Sequence, residues 1–328
     1  MEKLATLCGA VADSFEKGTD LLHQTTGIRL GESTVQRTTE AVGRRIADHL
    51  AGGAKGFGGK QPWDWFRDAT GRTVGYIGID ATGVRQQGRD GGKADGRMAH
   101  VGMIFNPLPD PERGSPSVPQ PGESMRARYV SGLYPLAEMG PLLRKQGAQV
   151  GLDDAEAWVA ISDGGSGLED FLERNFPRVD AVILDFYHAS EYLAKLAKGL
   201  HPSDEAAALA RTKSWCRLLR DEGGHALIGV LEAWEWPPMR GLAAVRAEVL
   251  GYLHNQVERM DYPTYEAKGW FIGSGAVESA CKTVVGQRLK GSGMRWSEAG
   301  AHAVCHVRAL YRSEPSQWEA FWRRSLAA

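Results

Sequence analysis

Short apolar runs between residues 73 and 188 alternate with helical patterns in an order that limits how the chain can fold. Five of these runs are strand candidates: 73–80, 98–105, 127–134, 157–164 and 180–188. The first three follow one another without a helix, which favours an antiparallel meander, whereas helical patterns precede and follow the fourth. This order predicts an α/β fold with a mixed five-stranded sheet and helices on its faces.

The segments that flank the predicted sheet have helical patterns. In residues 2–23 the apolar residues recur near helical spacing, and Ser33 can cap a second helix whose N3 residue would be Gln36. A helix, a glycine-containing turn and a capped helix are similar to a helix-turn-helix, although a solvated helical hairpin is the simpler interpretation. Residues 189–260 and 275–312 are also predicted to be helical, with breaks at WEWPPM and at GSGM.

Glycine-rich and proline-rich stretches indicate where the chain divides. The segment AGGAKGFGGK at 51–60 is predicted to be a linker, and residues 106–123 a surface loop between two strands of a hairpin. Four parts result: an N-terminal helical segment with its linker, the first part of the sheet-containing domain, a helical insertion, and the C-terminal part of that domain. Their predicted boundaries are 1–60, 61–190, 191–270 and 271–328.

The composition is that of an ordinary globular protein. Of 328 residues, 42% are hydrophobic and 24% are charged, and the formal net charge of −1 does not by itself predict a nucleic-acid partner. The four cysteines are scattered singly, which argues against a zinc site or a disulfide framework and fits a reducing cytoplasm. The sequence contains no signal-peptide pattern and no apolar run of membrane-spanning length, so no membrane partner is expected.

Two of the predicted strands end in an aspartate, Asp80 in YIGID and Asp163 in AWVAISD. If the first and fourth strands are neighbours in the sheet, these two carboxylates lie side by side. Like charges that close resist joint ionisation unless a cation lies between them, and Mg²⁺ prefers such oxygen ligands. Taken alone, an aspartate at a strand end is more commonly a turn former, and the two glycines after Asp163 favour that interpretation for it.

A third acid, Glu278, lies near the start of the last helical pattern, in FIGSGAVESACK. It follows a glycine-rich turn and precedes three cations that could hold a phosphate backbone: Lys282, Arg288 and Lys290. A lone glutamate on a helix is commonly solvated surface. Its placement together with Asp80 and Asp163 is what makes Glu278 a candidate.

Asp185 and His188 are secondary candidates in the stretch LDFYH. Asp185 also ends an apolar run, but in a sheet whose fifth strand lies beyond the fourth it is farther from Asp80 than Asp163 is. His188 is more commonly a capping or core histidine, but it could also orient a carboxylate or contact a phosphate.

Four stretches that contain these residues resemble the DDE transposases, most closely the insertion-sequence transposases of the ISKra group, which are relatives of the Mutator-like enzymes. They are GIDATGVRQ at 78–86, SDGGSGLEDFLERNFPRV at 162–179, LDFYHASEYL at 184–193 and GSGAVESACKTVVGQRLKGSGMRWSEAGAHAV at 273–304. The resemblance covers essentially the whole chain. It implies a ribonuclease H-like catalytic domain, whose order of strands and helices the predicted elements match, with a helical insertion before the last catalytic helix.

By this resemblance, Asp80, Asp163 and Glu278 take the three catalytic and metal-binding positions. They would hold two Mg²⁺ or Mn²⁺ ions, with Asp80 bridging both ions, Asp163 on one and Glu278 on the other. One ion would activate water or a 3′-hydroxyl, and the other would stabilise the leaving oxygen. Relatives carry Cys-x-x-His where this chain has Asp185 to His188, so Asp185 is an alternative second ligand.

The activity implied by the resemblance is metal-dependent cleavage and joining of DNA at the ends of a mobile element, by a homo-oligomer assembled on element ends and target DNA. The candidates for DNA contact are Arg37, Arg44, Arg45, Lys282, Arg288, Lys290 and Arg295. Trp296 could stack on an unpaired base, although such a tryptophan is more often part of a core. Two alternatives are a related nuclease that joins no strands and an inactive or shortened copy that only binds DNA.

Overall fold

Six strands form one open mixed sheet between two layers of helices. The computed structural model describes residues 1–52, 57–88, 92–107, 125–165, 167–273, 275–314 and 316–325. The strands are β1 Phe66–Arg67, β2 Thr73–Gln87, β3 Lys93–Pro107, β4 Met125–Gly132, β5 Ala157–Ser162 and β6 Val179–Leu184. Their order across the sheet is β4-β3-β2-β5-β6, and β1 pairs with the start of β2.

The pairing follows the predicted meander. β2 runs antiparallel to β3, and β3 antiparallel to β4, whereas β5 lies parallel to both β2 and β6. The expectation that the first long strand lies beside the fourth is therefore confirmed. All six residues of β5 are buried, because helices cover both faces of the sheet at this point.

Three strand predictions were wrong in detail. β2 does not end at Asp80 but continues to Gln87, because β3 supplies hydrogen-bond partners along this extension. The run 180–188 is a strand only as far as Leu184, since Asp185 caps a helix that begins at the next residue. The sheet also has a sixth strand, β1, whose two residues are too few to give a periodic pattern.

The helices account for most of the rest of the described chain. They are α1 Glu2–Val11, α2 Phe15–Thr26, α3 Glu32–Ala51, α4 Leu136–Gln149, α5 Leu168–Asn175, α6 Phe186–Leu200, α7 Glu205–Ala233, α8 Leu242–Gln256, α9 Tyr262–Ala267, α10 Gly275–Ala280, α11 Gln287–Leu289, α12 Glu298–Arg312 and α13 Gln317–Ser325. A π-helical turn, Cys281–Gly286, joins α10 to α11. The predicted breaks at WEWPPM and GSGM are confirmed, because the first separates α7 from α8 and the second α11 from α12.

The N-terminal region differs from its prediction in two places. The stretch 2–23 forms two helices, because the Ser14 hydroxyl accepts a hydrogen bond from the Lys17 amide and starts α2. The helix α3 has Gly31 as its N-cap, so Ser33 lies inside the first turn and does not cap it. α3 also packs closely on α12, where a Cβ atom on Gly43 would lie 2.2 Å from the Ala303 carbonyl oxygen.

Two predicted irregular segments lie partly outside the described residues. In the linker 51–60 these are residues 53–56, whereas Phe57 is buried and its ring stacks on His49. In the proline-rich loop 106–123 they are residues 108–123. Among the described helices, none combines the length and the apolar character needed to span a membrane.

Candidate active site

The first two acids meet where the parallel pairing of β2 and β5 ends. The last paired residues are Gly78 and Ile161, and two positions further along each chain lie Asp80 and Asp163. The two carboxylates are close enough for the negative charge of Asp163 to raise the pKa of Asp80. The register of two neighbouring strands thus places a pair of acids at one edge of the parallel part of the sheet.

The side chain of Asp80 is half-buried and has several polar neighbours. Its Oδ1 accepts a hydrogen bond of 2.6 Å from the Ala81 amide, and the thiol of Cys281 also contacts it. Burial is the main reason that its pKa lies above the ordinary value, and Asp163 adds to the effect. The Ala81 amide, Cys281 and His188 oppose this shift, so positive charge and hydrogen-bond donors face the carboxylate.

Asp163 combines two roles that the sequence left open. Its Oδ1 accepts a hydrogen bond of 2.9 Å from the Gly165 amide, as expected for a turn former. Its backbone carbonyl accepts a bond of 3.3 Å from the hydroxyl of Tyr252, on α8 in the helical region 191–270. The side chain remains half-buried beside Asp80.

Asp185 and His188 lie at the start of α6. Asp185 is only 5% exposed, and its carboxylate accepts a hydrogen bond of 3.0 Å from the Tyr187 amide. A Cβ atom on Gly273 would lie 3.8 Å from Asp185 Oδ1, so this carboxylate is close to the segment that leads into α10. His188 is half-buried and close enough to Asp80 to lower its pKa. His188 lowers the pKa of Asp80, and Asp185 caps α6 through its bond with the Tyr187 amide.

Glu278 lies on α10, which crosses β2 next to Asp80. Val277 fills the space over Gly78, where an added Cβ would lie 2.3 Å from Val277 Cγ2. One turn later Cys281 contacts Asp80, and Glu278 is exposed on the same short stretch of helix. Within the described parts of the chain, no three His, Cys, Asp or Glu side chains are grouped so that they could hold one metal ion.

The pair Asp80 and Asp163 has the donor chemistry of a magnesium site. Mg²⁺ is commonly held by one or two carboxylates, and water and substrate phosphate complete its octahedron. Two neighbouring carboxylates, one of them with a raised pKa, also favour a bound cation on electrostatic grounds.

One of the predicted cations lies beside this position. The Nζ atom of Lys290 donates a hydrogen bond of 2.9 Å to the hydroxyl of Thr82, two residues after Asp80. Lys282 and Arg295 are exposed on the neighbouring segments. Positive charge therefore lies next to the acids and in contact with solvent, where a phosphate backbone could reach it.

The prediction that Arg288 contacts DNA does not fit its position. This side chain is 1% exposed, and its guanidinium lies over the rings of both Phe15 and Trp296. Its Nε donates a hydrogen bond of 3.0 Å to the Gly9 carbonyl at the end of α1. Arg288 therefore joins the N-terminal helices to α11. Trp296 is likewise a core residue, as the commoner role of such a tryptophan suggested.

The N-terminal cations remain at the surface, on the exposed side of α3. Arg37 donates to the Ser33 carbonyl, Arg44 lies 3.8 Å from Glu40, and Arg45 lies 3.0 Å from Glu2. Such exposed pairs contribute little to stability and exchange readily for other anions.

Cys281 was missed as a site residue, since only a long-range contact distinguishes it from any other helical cysteine.

Neither protein-family models nor curated proteins gave a match to this chain.

Proposed function

We propose that this protein is a DDE-type transposase that cleaves and joins DNA strands with the help of divalent metal ions. The observation that carries the proposal is the position of Asp80 and Asp163, which neighbouring parallel strands bring together. A divalent ion held by these carboxylates would activate the attacking hydroxyl group and neutralise charge on the scissile phosphate.

The strand order supports a ribonuclease H-like fold for the catalytic domain. Three antiparallel strands, β2 to β4, are followed by two parallel strands beyond β2, with helices between them. The helices α6 to α9 then lie between β6 and α10, as expected for an insertion before the last catalytic helix.

The remaining residues of the site have roles that follow from their positions. Glu278 would be the third acid beside Asp80 and Asp163, on the helix that Val277 packs against β2. Lys290 is held beside the pair through Thr82 and would contact a phosphate, and Lys282 and Arg295 would extend that contact. His188 would help to keep Asp80 ionised.

The direct test is cleavage of a labelled DNA duplex that carries a candidate element end, with Mn²⁺, with Mg²⁺ or with a chelator. We expect nicking that requires the metal and falls at least about 100-fold in Asp80→Asn and in Asp163→Asn, because each change removes a charge from the pair. Asp153→Asn is the matched control, since this aspartate lies in the turn before β5, at the opposite end of that strand. Equal activity of all three variants would contradict the proposal.

A DNA-binding protein without catalytic activity is the second candidate. It is favoured by the hydrogen bond that the Gly165 amide donates to Asp163, because forming this turn would account for the aspartate without any catalytic role. In that case the wild-type chain binds the duplex but leaves it intact with every metal. Products in which a labelled 3′ end has joined a second duplex would separate a transposase from a nuclease.

A further inference from the structure

The strands β2 and β3 continue together beyond the rest of the sheet. The pairing of β2 with β5 ends at Gly78, and the pairing of β3 with β4 begins at His100. Among the six strands, the segments Ala81–Gln87 and Lys93–Ala99 therefore pair only with each other, and a single bridge joins Gln86 to Trp296. We call these two segments the ribbon. Seven residues in each strand give the ribbon a length of about 23 Å.

The two faces of the ribbon differ. The segment before α12 pairs with the edge of β2 that lies opposite β3, where the Trp296 amide donates to the Arg85 carbonyl at 3.1 Å and the Gln87 amide donates to the Trp296 carbonyl at 2.8 Å. One face of the ribbon packs on the core cluster that contains Phe15 and Trp296. On this face Val84 is buried, and Arg97, opposite it, forms an ion pair of 2.9 Å with Glu298. The covered face has its charge neutralised within the protein.

The opposite face is exposed and cationic. Alternation along β2 places Arg85 and Gln87 on this open face, with Lys93 opposite Gln87. All three side chains are exposed, as is Met98, at 52%. Among the described residues neither Arg85 nor Lys93 has an ion-pair partner, and the acid of the ribbon, Asp95, lies at the register shift between the two strands.

We propose that the open face of the ribbon binds duplex DNA in the major groove beside the cut site. This rests on the proposed function for the choice of DNA as partner. The major groove is about 12 Å wide and admits a two-stranded ribbon. Arg85 and Lys93 supply charge for the phosphates at its edges, and Gln87 and Met98 supply polar and apolar contacts to base edges.

The position of the ribbon sets where it meets the DNA. Arg85 is five residues along β2 from Asp80, or about 17 Å, which corresponds to about five base pairs of duplex. The ribbon is held by backbone hydrogen bonds to Trp296, so this spacing is built into the fold.

The test is the salt dependence of binding to a random-sequence duplex of about 30 base pairs, with a chelator present so that no cleavage occurs. We expect the double variant Arg85→Ala with Lys93→Ala to reduce the slope of log affinity against log salt by about 1.8, because two phosphate contacts are lost. The matched control is Lys213→Ala with Arg217→Ala, two exposed cations on α7. It should leave the slope unchanged.

Each outcome bears on the inference separately from the proposed function. An unchanged slope in the ribbon variant, or an equal loss in the control, overturns the ribbon as a DNA contact even if the wild type cleaves DNA. A reduced slope in the ribbon variant alone supports it, even if no cleavage is ever found. Loss of affinity for single strands but not for duplex would overturn the choice of duplex DNA.

Discussion

The site has a sheet side and a helix side, and they are held in different ways. Asp80 and Asp163 follow an unbroken parallel ladder, Val74–Gly78 with Ala157–Ile161, whose strands are buried on both faces. Glu278 lies on α10, a helix of six residues that leads directly into a π-helical turn. The acids of the pair are therefore fixed by the backbone, whereas the third acid depends on a few side-chain contacts.

Side-chain contacts hold the helix side, and the contact of Cys281 with Asp80 is one of them. Val277 seats α10 against Gly78, and the guanidinium of Arg308 on α12 binds carbonyls of the π-helical turn, with a bond of 2.7 Å from Nε to Val284 O. Burial lowers the pKa of Arg308 to about 10, which still leaves it charged at neutral pH. The difference teaches that a change on the helix side moves Glu278 first and reaches Asp80 only through its side-chain contacts, such as that with Cys281. π-helical turns are frequent at functional sites, where such adjustment is needed.

The largest expected effect comes from removing Arg308. Its guanidinium donates to the carbonyls of Val284, Thr283 and Ala10, so Arg308→Met leaves two buried acceptors and one partly buried acceptor without this partner. We expect the free energy of unfolding, measured by urea denaturation, to fall by about 3 kcal/mol. Arg312→Met is the control, because this exposed neighbour on the same helix should cost less than about 0.5 kcal/mol. Similar losses in both variants would show that Arg308 does not hold the turn.

The substitution Gly78→Ala tests the packing of α10 against β2. The new methyl group would overlap Val277, and its Cβ would lie 3.2 Å from Met103 Cγ, so α10 must move away from β2. We expect a loss of about 2 kcal/mol in stability and of about 100-fold in cleavage, with divalent-ion binding by the aspartates retained.

Two variants sharpen this test. Val277→Ala added to Gly78→Ala should restore most of the activity, because it returns the lost space. Gly83→Ala in the same strand should have little effect, since the nearest atom to its Cβ is Met98 Sδ at 4.0 Å. If the double variant were as impaired as Gly78→Ala alone, overlap with Val277 would not be the cause of the lost activity.

The effect that is smallest at neutral pH concerns the packing of α12 on β4. His306 is buried, its Nε2 lies 2.7 Å from the Tyr134 hydroxyl, and burial lowers its pKa to about 3. Below about pH 6.5 the unfolded chain binds a proton at this residue and the folded chain does not. The contribution of His306 to stability is therefore complete above this pH and should fall by about 1.4 kcal/mol per pH unit between about pH 6.5 and about pH 3.

Urea denaturation at several pH values measures this slope. In His306→Gln most of the decrease near pH 6 should disappear, and His302, whose pKa burial also lowers, should contribute to the part that remains. The same pH dependence in the variant and the wild type would show that His306 does not cause the loss of stability in acid.

The parts of the fold that could be predicted from the sequence are those with a local signal. Alternating apolar runs located the long strands, and the similarity of their order to a known fold predicted that the first lies beside the fourth, as β2 lies beside β5. The capping residue Ser14 was also a local signal, in DSFEK, but the apolar spacing across it suggested one helix.

The parts that could not be predicted depend on contacts between distant residues. Arg288 has the surroundings of a surface cation in the sequence, and only its contact with Gly9 explains why it is buried. The extension of β2 beyond Asp80 has polar residues on both faces, so no apolar alternation indicated a strand. It is stabilised by β3 and by Trp296, which lies far along the chain.

Binding of Mn²⁺, followed by electron paramagnetic resonance, tests most directly whether Asp80 and Asp163 form one cation site. We expect the wild type to bind Mn²⁺ without DNA and each variant, Asp80→Asn and Asp163→Asn, to lose at least about tenfold in affinity. Glu278→Gln should lose less, because this acid lies on the adjustable side of the site. Unchanged affinity in both asparagine variants would contradict a shared metal site at the end of β2 and β5.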